Sequence, residues 1–120
     1  MRIIPASDIA DALDYPDLIE ALRAAFRSGV VAPARQSHGI ALPDQPDATL
    51  SMAPAWSDFA RQAHSERGYV GVKIACVFPG NADRDRASVS GAYLLMSGRT
   101  GEPLAFIDGQ ALTAWRTAAA

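Results

Sequence analysis

Tyr69–Phe78 constrains the fold more than any other stretch, because it is apolar throughout except for Lys73. At the two-residue period of a strand, Val70, Val72, Ile74, Cys76 and Phe78 share one face, while Gly71, Lys73, Ala75 and Val77 share the other. The first face is expected to be core. Lys73 is the single lysine among 11 basic residues. An ammonium buried without a partner costs several kcal/mol, on the order of a full desolvation penalty. Two readings of Lys73 follow: an edge-strand lysine that reaches water, or a lysine that meets an anionic ligand above the small neighbours Gly71 and Ala75.

The segments around this strand indicate an α+β chain. Arg2-Ile3-Ile4 reads as a short strand, and Ser7-Asp8 opens a brief helix through Leu13. Asp14 or Tyr15 caps a second helix with Pro16 in its first turn. Leu18, Ile19, Leu22, Ala25 and Phe26 recur in it at helical spacing until Gly29. Alternation from Arg35 through Leu42 predicts a strand, and Ala48–Met52 another extended piece. Trp56–Gly68 reads as a surface loop or short helix. Pro79-Gly80-Asn81 closes the lysine strand. Val89–Met96 and Pro103–Ile107 form a hairpin about the turn Ser97–Glu102. Gln110–Ala120 is Ala-rich with Leu112, Trp115 and Ala119 on one side, a helix with no stop signal. The expected architecture is two N-terminal helices, a mixed or antiparallel sheet with a hairpin, and a C-terminal helix.

Composition narrows the partners. With 120 residues there is room for one domain. The net charge of −2 comes from scattered side chains, so there is no electrostatic footprint for nucleic acid or an anionic membrane. The apolar stretch at Tyr69 is far short of a bilayer span. One cysteine, Cys76, forms no intrachain bridge or CxxC pair and fits a cytoplasmic setting. His38 and His64 lack catalytic or metal-ligand spacing, so no metal is expected. Ser37, Ser88 and Ser90 lie in no GxSxG elbow. Neither GxGxxG nor GxxxxGK[ST] occurs, so a dinucleotide has no phosphate-cradling turn here. By residue type alone, Arg35 and Arg116 read first as surface arginines, with a carboxylate clamp as the other possibility.

The order of motifs adds to this. GVKIACVFPGN (Gly71–Asn81) followed by SVSGAYLLMSGRTGEPLAFIDGQALTAWRTAAA (Ser88–Ala120) resembles the N-terminal part of the ornithine cyclodeaminase/μ-crystallin family. The likeness lies in the VK strand ending in Pro-x-Asn, the Thr-Gly-x-Pro-Leu turn and the LTAxRTAAA helix. It extends more loosely to DIADAL, AAFRSG, Pro33-Ala34-Arg35 and the Met52/Pro54 region.

The resemblance implies an NAD(P)-dependent homodimer in which an α+β substrate-binding and dimerisation domain precedes a Rossmann domain. Residues 1–120 would be the first of these, with the C-terminal helix leading toward the second. It implies that Arg35, Lys73 and Arg116 bind the carboxylate of a small amino or imino acid, with Lys73 as the catalytic candidate. Ser88 and Arg116 would lie on the side of the NAD or NADP(H) cofactor. The reaction implied is hydride transfer at the α carbon, as in an ornithine cyclodeaminase or a pyrroline-2-carboxylate reductase. Thr49-Leu50-Ser51-Met52 offers no acid for a distal ammonium, which favours a cyclic or short-chain imino acid over ornithine. A μ-crystallin-like binding module, or a fragment that dimerises through the Ser88–Ile107 hairpin, is the non-catalytic alternative.

Overall fold

In a computed structural model of the chain, the residues described are 1–12, 14–61, 68–109 and 112. Strand β1 (Arg2–Ile4) is followed by helices α1 (Ala6–Ala12) and α2 (Tyr15–Ser28). Strands β2 (Val30–Val31), β3 (Gln36–Ile40), β4 (Ala48–Ser57) and β5 (Tyr69–Val77) come next. After a 3-10 turn at Pro79–Arg84, β6 (Val89–Ser97) and β7 (Pro103–Asp108) form the hairpin. The sheet runs β1-β7-β6-β5-β4-β2, with β3 also paired to β4. Among the described residues only β1 and β7 pair in parallel; the other ladders are antiparallel. The mixed sheet with its hairpin matches the α+β expectation.

Helix α2 forms where its end signals place it. The Asp14 side chain accepts from the Asp17 N–H at 2.9 Å, satisfying one of the four orphan donors of a helix N-terminus. At the other end the Gly29 N–H donates to the Ala25 carbonyl, and its φ of 93° favours glycine. Asp14→Ala is expected to destabilise the fold by ~1 kcal/mol, read as a lower thermal midpoint. The Arg23–Glu20 pair on the exposed face contributes little. Helix α1 begins one residue before Ser7, at Ala6. The Pro5 carbonyl takes the Asp8 and Ile9 N–H groups, so Ser7 is not the cap.

Several expectations need correction. Strand β4 continues past Met52 to Ser57, so Trp56 and Ser57 are sheet and not the start of the loop expected over Trp56–Gly68. Pro54 is tolerated there because β3 pairs residues 48–52 and β2 pairs 56–57. Residues 53–55 face the gap between them, where a missing N–H breaks no ladder bond on that edge. Strand β2 had no counterpart in the sequence reading. Strand β3 ends at Ile40, and the Leu42 N–H turns to the Asp47 carboxylate at 3.3 Å. Within the C-terminal helix only Gly109 and Leu112 are described, as helical; the remainder, with Trp115, lies outside the described residues.

The largest correction concerns the core. The face of β5 bearing Val70, Val72, Ile74 and Cys76 is not closed within the chain, since Ile74 is 37% exposed. Among the described residues the buried apolar side chains are Ile9, Ala48 and Ala105. Register explains where the apolar surface went. Ile3, Phe106, Leu94, Val72 and Pro54 lie directly opposite one another across five strands, forming one continuous row. Ile3 and Phe106 in that row are 74% and 43% exposed. Alternation assigned the residues to faces correctly but did not show whether anything covers a face.

Candidate functional site

Strand β5 lies between β4 and β6. Lys73 is therefore not at a sheet edge, and the edge-strand reading fails. Its cross-strand partners are Ala53 on β4 and Tyr93 on β6. The lysine shares its face with Ser51, Ala53 and Ala55 of β4, Gly71 and Ala75 of β5, and Gly91 of β6. Ser51, Ala53 and Ala75 keep the sheet surface low on the β4 side of the half-buried Lys73, while Tyr93 stands on its β6 side.

Arg35 precedes β3, whose first residue, Gln36, pairs with Met52. That pairing brings the arginine beside the middle of β4. Arg35 and Lys73 line one recess of about 40 Å³, together with Ser51, Ala53 and Ala75. Two cations separated by a long stretch of sequence thus meet over a floor of alanine and serine. An arginine offers forked donors and a lysine a movable point charge, a combination suited to a carboxylate.

Tyr93, which the sequence reading passed over, closes one side of this floor. A Cβ on Gly71 would collide with the Tyr93 hydroxyl and come within 2.7 Å of its ring carbons. The ring therefore lies directly on the glycine, and a side chain at 71 would displace it. The sequence signal was available, a glycine beside a lysine in a strand, but its partner was visible only through the β5–β6 register. Burial pushes the Tyr93 phenol above its ordinary value of 10.0. In the unfolded chain this tyrosine ionises first. The raised value therefore contributes stability that is fully present below pH 10.0 and is lost as the pH climbs toward the folded pKa. Stability is expected to fall in alkali beyond that point, and Tyr93→Phe to flatten the fall in denaturant midpoints measured across the range.

The other expected site residues are placed less closely. Ser88 sits just before β6 and is half-buried. Its carbonyl accepts the Phe78 N–H at 2.7 Å. It lies five positions before Tyr93, roughly 17 Å along an extended chain, and does not line the Lys73 recess. Arg116 lies outside the described residues. Cys76 is a half-buried free thiol. Among the described residues no three His, Cys, Asp or Glu side chains gather as a metal site, and no helix is long and apolar enough to cross a membrane.

Comparison with known proteins places this fold in a family. Protein SAR DEFICIENT 4 of Arabidopsis thaliana is 32% identical over 117 residues, covering 95% of this chain and 33% of that protein. The Delta(1)-pyrroline-2-carboxylate reductase of Colwellia psychrerythraea is 32% identical over 122 residues, 99% of this chain and 35% of its own length. The chain thus spans about a third of the length of the curated relatives it matches. In fold it is similar to the Thermococcus litoralis Delta(1)-pyrroline-2-carboxylate reductase solved with NADH and L-proline. The TM-score is 0.75 at 24% identity, over 99% of this chain and 35% of that one. Residues 3–120 match the sequence profile of the ornithine cyclodeaminase/mu-crystallin family, and the chain belongs to that family.

Proposed function

We propose that this chain is the substrate-binding part of an NAD(P)-dependent oxidoreductase acting at the α carbon of a small amino or cyclic imino acid. The observation that carries the reading is the convergence of Arg35 and Lys73 on one small-residue recess. The forked arginine fixes the plane of the substrate carboxylate, and Lys73 balances its charge from the sheet floor. Holding that group restricts the neighbouring α carbon, which is how positioning lowers a barrier. Arg116 is proposed as a third cation of the same clamp and, with Ser88, as a residue on the cofactor side.

The described residues do not fit the dinucleotide itself. Their sheet is antiparallel except at β1–β7, and none of them forms a glycine-rich strand-to-helix turn for a pyrophosphate. The nicotinamide, which supplies or accepts the hydride, belongs in this reading to a separate domain. The relatives, roughly three times as long, leave room for one.

The open apolar face fits a homodimer. Ile3, Phe106, Leu94, Val72 and Pro54 lie on the side of the sheet opposite Lys73, so a second copy seated there leaves the recess free. Association through hairpin edges is not available, because β5 and β1 already flank β6 and β7.

The full-length protein is expected to oxidise NADH or NADPH when given a cyclic imino acid such as pyrroline-2-carboxylate, followed by loss of nicotinamide absorbance. Carboxylate binding with no turnover of any cyclic imine would instead assign a binding module, and the oxidoreductase reading would be abandoned.

A further inference from the structure

A second hollow adjoins the cation recess on the same face of the sheet. It has a volume of about 150 Å³ and is lined by Val30, Ala55, Tyr69, Gly71, Tyr93 and Leu95 among others. The two share a floor. Ala53 and Lys73 belong to the recess; Ala55 and Gly71, one same-face step along each strand, belong to the hollow. That step is about 6.8 Å, and on β4 nothing larger than a methyl group stands across it.

We propose that this hollow is the side-chain subsite of the Lys73/Arg35 site and takes a flat aromatic ring. The substrate class would be carboxylates whose aryl group sits one or two atoms from the carboxylated carbon. The inference rests on the carboxylate reading of the recess and extends it.

Size, chemistry and wall geometry support it. The hollow, of about 150 Å³ and open to solvent, has room for a benzene-sized ring against a mainly apolar lining. Among the described residues the lining includes no carboxylate. Tyr69 and Tyr93 offer ring edges and faces to an aromatic guest. Tyr93 lies on Gly71, so its ring forms part of the hollow's lining.

The test uses two unreactive carboxylates, propionate and 3-phenylpropionate, titrated calorimetrically into the full-length protein. The aryl acid is expected to bind roughly tenfold or more tighter, since burying a ring removes a large apolar area from water. Ala55→Leu, which fills the hollow from its floor, is expected to erase that advantage while leaving propionate affinity within about twofold. Ala55→Val, a smaller filling that β4 readily accepts, is expected to erase it in part and guards against a leucine variant that fails to fold. Lys73→Met should weaken both ligands. Equal affinity of wild-type protein for the two acids, or an aryl advantage that survives both Ala55 variants, overturns the subsite alone. Failure of wild-type protein to bind either acid overturns the carboxylate site and the subsite together.

Discussion

Lys73→Met in the full-length protein is expected to lower kcat/KM by roughly a thousandfold while the fold survives. The size follows from electrostatics. Opposite charges about 4 Å apart interact by ~4 kcal/mol at an effective dielectric near 20, and each ~1.4 kcal/mol is a factor of ten in rate. Methionine keeps an unbranched stem of similar reach, so packing beside Ala53 and Tyr93 changes little and the charge is what is removed. Lys73 is half-buried between two neighbouring strands, so solvent screens it less than a surface lysine. Circular dichroism and the thermal midpoint provide the folding control. A rise in KM alone would mean that the ammonium only holds the substrate; a parallel loss in kcat would mean that it also favours the transition state. An unchanged kcat/KM removes Lys73 from the mechanism.

Phe106→Asp is expected to convert a dimer into a monomer, weakening association by at least about a hundredfold in sedimentation experiments. Phe106 stands between Ile3 and Leu94 in the five-strand apolar row and is 43% exposed in the single chain. Covering a phenylalanine is worth ~1.5–3 kcal/mol, and a carboxylate in its place adds the cost of desolvating a charge. Arg99→Ala, in the exposed turn between β6 and β7, serves as a neutral control. A wild-type protein that sediments as a monomer at micromolar concentration would rule out the dimer and leave the apolar row to another partner. The Lys73 recess lies on the opposite face, so any loss of activity that accompanies dissociation comes from the assembly and not from direct damage to the site.

Much of the secondary structure was legible from residue spacing. Helix α2 begins at Tyr15 and ends at Ser28 because Asp14 and Gly29 carry the capping chemistry. Strand β5 and the β6–β7 hairpin follow from alternation and the Gly98–Gly101 turn. Failures came where long-range pairing decides. Val30-Val31 is too short for a period to be seen, yet it becomes a strand because β4 offers it an edge. The extended piece was expected over Ala48–Met52, but β4 runs on through Pro54 at a gap between two neighbours. Of the site, Lys73 drew attention as a charge in an apolar strand and Arg35 came in through the family resemblance. Tyr93 looked like an ordinary strand aromatic until the register laid it on Gly71.

Alone, the sequence determined most of the helix and strand segments and which residues share a side of each strand, because backbone sterics and side-chain period are local properties. It also carried the family, through motifs in a fixed order. Tertiary structure decided that β5 is interior, that Arg35 reaches Lys73 over a floor of small residues, and that the bulkier face of the sheet lies open. Those facts depend on which distant strands pair and in what register, and a single-residue slip would send every side chain to the opposite face. No local pattern in β5 holds that information.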